Sequence, residues 1–224
     1  MVIYCERAGD GFWAEPANTL STLAFFAAAW MAVRLLRGLP PAPDGDRRWD
    51  LLLLAGSVFA VGVAGFLWHG LAEPWAELLD LGAMLVFLIL FLISFLSRIA
   101  GVGVFGTVVV LLGVQWLMLQ TGSRFSPTLM NGGVFFYPAA AVLWVVALFA
   151  MVQMRSRGLP FLVAAVVFSI ALVLRNLDLA LCLQWPWGTH FAWQLLVAGA
   201  LYQLFRGLAD FVAFTRSEPA RRVA

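Results

Sequence analysis

The chain contains no lysine. All fourteen basic residues are arginines, which excludes a lysine Schiff base and with it a retinal-type chromophore. Histidine is nearly as scarce, at two residues, His69 and His190, so any imidazole chemistry must pass through those two. Two cysteines, Cys5 and Cys182, allow at most one internal disulfide. Charge of either sign is thin: 12% of residues are charged, against about 25% in soluble domains. What fills the space is hydrocarbon, with 63% hydrophobic residues and a mean hydropathy of +0.93. These values exclude a water-soluble globular domain and indicate an integral membrane protein. The net charge of +2 follows from loop arginines and gives no ground for a nucleic-acid partner.

Crossing about 30 Å of hydrocarbon as a helix takes about 20 apolar residues. Such runs occupy about 18–37, 50–69, 76–98, 101–120, 133–153, 159–182 and 189–214. The sequence therefore predicts an all-α integral membrane fold, a single seven-transmembrane helix bundle over 1–224. Seven crossings place Arg34, Arg37, Arg47, Arg48, Arg98, Arg155, Arg157, Arg206, Arg216, Arg221 and Arg222 on one face. Arg7 and Arg124 fall on the other face, and Arg175 lies inside a span. By the positive-inside rule the amino terminus is outside and the carboxyl terminus cytoplasmic. The start "MVIYCERAGDG" lacks the basic and apolar pattern of a cleaved signal peptide, so the first span is expected to start insertion. The lysine-free, Arg- and Ala-rich composition suggests a bacterial inner membrane. Cys5 and Cys182 both fall on the outer face, where a disulfide persists; a bridge and two unrelated buried thiols remain open as alternatives.

In this topology the ionisable groups gather at one end. In "GFLWHGLAEPWAELLD", residues 65–80, His69 ends the second span and Asp80 opens the third across a short outer hairpin. In "GTHFAWQLL", His190 opens the seventh span and Gln194 follows one turn deeper on the same helical face. Ionisable residues within a membrane are expensive and tend to mark a site. Glu73 and Glu77, beside Pro74, read instead as solvated interfacial groups. Arg175 and Asp178, three residues apart in "LVLRNLDLALC", read as a mutually paired structural couple, with Asp178 near enough to the outer end to touch the site instead. Two imidazoles and a carboxylate suit zinc, whose bound water has its pKa lowered to about 7. Asp80 would take the proton from that water or orient it. The natural substrate would be a lipid amide or ester entering sideways from the bilayer.

The same residues carry a resemblance. "YCER…FWAEPANTLS", the His69 to Asp80 spacing and "GTHFAWQLL" resemble, in order and over nearly the whole chain, the alkaline ceramidase family of seven-helix membrane hydrolases. The resemblance implies a zinc-dependent amidase that cleaves the N-acyl bond of a ceramide-like lipid. It implies zinc held by His69, by His190 and by a third histidine that falls here on Gln194, with Asp80 handling the water. A serine expected to steady the oxyanion falls on Gly65. The resemblance further implies a calcium site through Glu6 and Glu15, with Ile3 and Ala8 standing where an aspartate and an asparagine are expected and Asp10 as a substitute. It also implies pairing of Cys5 with Cys182. Gln194 weakens the metal site, and a His69, His190 and Asp80 set would admit iron or manganese. The loss of the serine at Gly65 is expected to cost about a hundredfold in rate.

Other readings remain. A relative that kept the fold and binds lipid without catalysis is one; a b-haem protein using His69 and His190 as axial ligands is a second. A transporter is disfavoured by the absence of matching halves.

Overall fold

The computed structural model describes residues 4–9, 11–40, 48–126 and 129–222, with side chains through residue 215. Ile3, Asp10 and Arg47 lie outside the described residues. Among those described, the chain is helical and has no strand. The helices are α1 (Pro16–Ser21), α2 (Leu23–Gly38), α3 (Trp49–Leu71), α4 (Pro74–Arg98), α5 (Val104–Arg124), α6 (Tyr137–Met154), α7 (Leu159–Leu177) and α8 (His190–Arg222). Prolines sit in the first turn of α1, α4, α6 and α7, where the missing N–H costs nothing and the fixed φ favours helix.

Six helical stretches are long and apolar enough to cross a membrane: Pro16–Gly38, Trp49–Leu71, Pro74–Arg98, Val104–Arg124, Leu129–Leu177 and His190–Thr215. The chain is thus a multi-pass membrane protein by helix length and composition. The 49-residue stretch is interrupted. Met154 ends α6, Arg155 adopts φ 53°, and a 3-10 turn over Arg155–Gly158 leads into α7, which packs back on α6. A Cβ on Gly158 would lie 2.6 Å from the Ala150 backbone, so this return needs glycine.

Two predicted boundaries shift. The fourth apolar run starts helix at Val104 rather than residue 101, because Gly101 takes φ 66° and Gly103 is extended. The sixth ends at Leu177 rather than 182, because Asp178 is drawn into other contacts and only a short 3-10 turn, Leu179–Leu181, follows.

Helix α8 is central, packing on α2, α3, α4 and α7. In a bilayer, helix association relies on close packing because lipid is as apolar as the core. Small residues supply it here: Ala28, Ala29 and Ala32 on α2, Ala164, Ala165 and Ala171 on α7, and Ala198, Ala200 and Ala209 on α8 are all buried. A Cβ on Gly207 would come within 2.6 Å of the Phe161 ring, so α7 and α8 approach too closely for a larger residue. At one end of the bundle Arg98 of α4 makes a two-pronged contact with Asp50 of α3, at 2.6 and 2.7 Å. At the opposite end the carboxyl terminus of α3, the start of α4, the end of α7 and the start of α8 come together, bringing His69, Asp80, Arg175 and His190 into one region.

Candidate functional site

Asp178 fastens this end of the bundle. Its Oδ1 accepts hydrogen bonds from the backbone N–H groups of Thr189 (2.7 Å) and His190 (2.9 Å), and its Oδ2 accepts one from Cys5 (2.9 Å). The first two belong to the start of α8, whose leading N–H groups have no partner within the helix. One carboxylate therefore ties the end of α7, the start of α8 and the amino-terminal segment. Gly188 permits it, since its φ is 63° and a Cβ there would stand 2.2 Å from Asp178 Oδ1. Cys5 and Cys182 are disulfide-bonded across the same junction, with Cα atoms 5.3 Å apart.

The expected pairing of Arg175 with Asp178 does not form. Three backbone donors take the carboxylate, and Arg175 turns inward. Its Nη1 donates to the Tyr4 hydroxyl (3.2 Å) and lies 3.5 Å from His190 Nδ1. Its guanidinium carbon stands 5.1 Å from the Phe136 ring, 5.4 Å from Trp193 and 5.7 Å from Tyr4. Arg175 is 5% exposed. No carboxylate among the described residues lies within ion-pair distance of it.

His69 and His190 are both buried, with ring centroids 5.0 Å apart. His69 Nδ1 is 2.6 Å from Glu15 Oε2, which also accepts from Asn18 Nδ2 at 3.0 Å. Arg7 donates through Nε to Glu15 Oε1 at 2.5 Å. A carboxylate at Nδ1 holds the proton there and presents the Nε2 lone pair. That Nε2 lies 2.6 Å from Gln194 Nε2, which is also 3.4 Å from His190 Nε2. The Gln194 amide therefore bridges the two imidazoles, and the Tyr4 ring stacks on His190 with centroids 3.8 Å apart. The amide occupies the gap between the two Nε2 atoms.

Asp80 faces α3 at Gly65, where a Cβ would sit 3.3 Å from Asp80 Oδ1 and 3.1 Å from Thr22 Cγ2. Its carboxylate makes no hydrogen bond among the described residues. With Tyr4, Trp68, Arg175 and Gln194 it lines a cavity of about 200 Å³. Beside this cavity, and sharing Leu81, Met84, Phe135 and Phe136 with it, a narrow apolar slot of about 40 Å³ runs down α8 to Leu204. Of the two glutamates expected at the surface, Glu73 is exposed, whereas Glu77 is half-buried and lines the cavity.

The other acids serve structure. Glu6 caps α1, accepting from the backbone N–H groups of Ala17 (2.5 Å) and Asn18 (2.8 Å). Burial pushes its carboxyl above the usual range against the pull of those two N–H groups. Burial acts in the same direction on Glu15, but there the hydrogen bond with His69, together with Asn18 and the charge of Arg7, outweighs it and holds the carboxyl low. Burial likewise raises the Tyr4 hydroxyl, opposed by Arg175. Calcium takes six to eight oxygens, and here the Glu6 and Glu15 oxygens are filled by protein donors. These two residues do not fit the expected calcium site.

For a transition metal the test is closer. Among the described residues no group of three or more His, Cys, Asp and Glu is placed to hold one. The two imidazole Nε2 atoms do converge, however, and turning the Gln194 amide about its last bond presents an oxygen at the same point. That donor set fits a centre of two nitrogens and one oxygen, one imidazole short of the expected three.

Sequence reasoning missed Tyr4 and Glu15 as partners of the histidines. The quoted "YCER" and "AEPAN" segments contain both, but nothing in their spacing shows which histidine they meet. No family model and no curated protein sequence matches this chain.

Proposed function

We propose that the protein is a seven-crossing membrane hydrolase of the ceramidase type, cleaving the amide of a long-chain N-acyl lipid at the outer face of a bacterial inner membrane. Counting α6 and α7 as separate crossings gives the seven, and the arginine distribution orients the amino terminus outward. The observation that carries the reading is a cavity lined by Asp80, which has no hydrogen-bond partner among the described residues, and by Gln194, whose amide joins it to the buried, carboxylate-backed histidine pair, beside a narrow apolar slot.

The chain's own groups divide the work. The slot between Leu81, Met84, Phe135 and Phe136 takes the alkyl chain and excludes water. Asp80 accepts the proton of the attacking water and returns it to the leaving nitrogen, a role that contributes about 10²–10⁴-fold. Glu15 keeps His69 oriented. His69, His190 and the Gln194 side-chain oxygen would hold a divalent metal such as zinc, which would supply Lewis acidity.

A second reading, a lipid-binding relative without the metal, is favoured by one observation: the Gln194 amide already satisfies both imidazoles. Metal content by mass spectrometry separates the two. The hydrolase reading expects about one metal per chain in the wild type, lost in both His69→Ala and His190→Ala. Metal bound only by Gln194→His would leave the lipid-binding reading.

A further inference from the structure

We infer that the cavity recognises a carboxylate on its lipid, so that the preferred ligand is a long-chain N-acyl amino acid rather than a neutral ceramide. This rests on the reading of the cavity as a lipid-amide site and narrows its substrate class. A guanidinium within the hydrophobic span of a membrane helix is costly unless an anion or polar groups meet it. Arg175 is 5% exposed and its Nε has no partner. Its nearest carboxyl along the chain, Asp178, is committed to three backbone N–H groups. The Tyr4 hydroxyl and three aromatic faces offset part of the cost, and Asp80, which lines the same cavity and feels the charge of Arg175, makes no ion pair with it. Arg175 lines the cavity, so a ligand anion can complete it.

The spacing selects the anion's place on the ligand. Arg175 Nη1 lies 3.5 Å from His190 Nδ1, and the opposite nitrogen of that ring faces Gln194 and His69. The guanidinium and the histidine pair are thus one imidazole ring apart. A ligand whose amide carbonyl meets Gln194, the cavity-lining member of that cluster, would reach Arg175 with a carboxylate borne on the carbon next to the amide nitrogen. Arginine and carboxylate match as a planar, charge-assisted pair. Asp80 also lines the cavity, and its carboxylate disfavours an anion beside it, which leaves the guanidinium of Arg175 on α7 as the place for the ligand's carboxylate. Hydrolysis of such a ligand adds water across the C–N bond: the acyl carbon gains the hydroxyl and becomes a fatty acid, and the nitrogen gains the proton and leaves as the free amino acid.

The test is competition against labelled N-palmitoylglycine on the full chain purified in detergent. The competitors are unlabelled N-palmitoylglycine, N-palmitoylethanolamine, which replaces the carboxylate with an alcohol carbon, palmitate, and a C16 ceramide. The expected result is a preference of about tenfold or more for N-palmitoylglycine over the ethanolamide, the size of one charge-assisted contact. In Arg175→Gln the two ligands should bind alike, and Arg175→Lys should restore part of the preference. Palmitate binding as tightly as N-palmitoylglycine would overturn the amino-acid assignment and leave a simple fatty-acid site. Equal binding of glycine and ethanolamine amides by the wild type overturns the inference whether or not Arg175→Gln folds. Ceramide cleavage without carboxylate preference would sink this inference alone. Carboxylate preference with no acyl release from any amide would sink the hydrolase reading alone.

Discussion

Replacing Asp178 with alanine should be among the most damaging single changes at this end of the bundle. The carboxylate is 1% exposed and accepts three backbone hydrogen bonds, from Cys5, Thr189 and His190. A hydrogen bond to a charged group contributes about 1.5–3 kcal/mol, and a buried donor left without a partner costs about 1–3 kcal/mol. Water can reach the half-buried Cys5 and Thr189 donors, whereas the His190 donor is buried, so the sum falls short of three full penalties, at roughly 3–5 kcal/mol. For a chain of 150–250 residues about 2–4 °C is lost per kcal/mol, which puts the drop in unfolding temperature at roughly 6–20 °C. Asp178→Asn keeps one oxygen for α8 but turns its amide towards the Cys5 N–H, and should lose about half as much. The assay is thermal unfolding of detergent-solubilised protein followed by tryptophan fluorescence, with a disulfide-intact control. If Asp178→Ala unfolds within about 2 °C of the wild type, less than about 1 kcal/mol, the carboxylate is not the fastening described and the placement of His190 needs another cause.

Gly188→Ala attacks the same junction from the other side. With φ at 63° and a Cβ 2.2 Å from Asp178 Oδ1, it should destabilise by about 1–3 kcal/mol through strain alone, visible in the same melt. Cys5→Ser, or treatment with reductant, should lower stability by about 2–4 kcal/mol and loosen the Tyr4 stack on His190; an unchanged melt would mean the bridge adds nothing to the fold. Arg98→Ala at the opposite end removes a half-buried two-pronged contact with Asp50. It should cost about 1 kcal/mol and leave ligand binding as it was, which a binding measurement checks directly.

The bundle was legible because bilayer thickness imposes a length that any apolar run must meet, and six helical stretches meet it. Their ends were less legible. Helix α7 stops at Leu177 because Asp178 is claimed by residues 11, 12 and 173 positions away, competition that hydropathy does not register. The site was half visible: His190 and Gln194 share a face by helical spacing, and His69 and Asp80 flank a short hairpin. Arg175 could not be placed from the sequence. A partner three residues along looked sufficient, and the residue it meets instead, Tyr4, is 171 positions away. Glu15 likewise carried a motif suggesting calcium, while its position 2.6 Å from His69 depends on how α1 leans on α3.

The central claim, a lipid-amide hydrolase using Asp80, is tested most directly by mass-spectrometric detection of fatty acid released from N-acyl lipid amides, a ceramide and an N-acyl amino acid among them, by purified protein in detergent. The account predicts release by the wild type and a loss of about 10²–10⁴-fold in Asp80→Asn with lipid binding retained. Equal release by both proteins, or none by the wild type supplied with zinc, would contradict it.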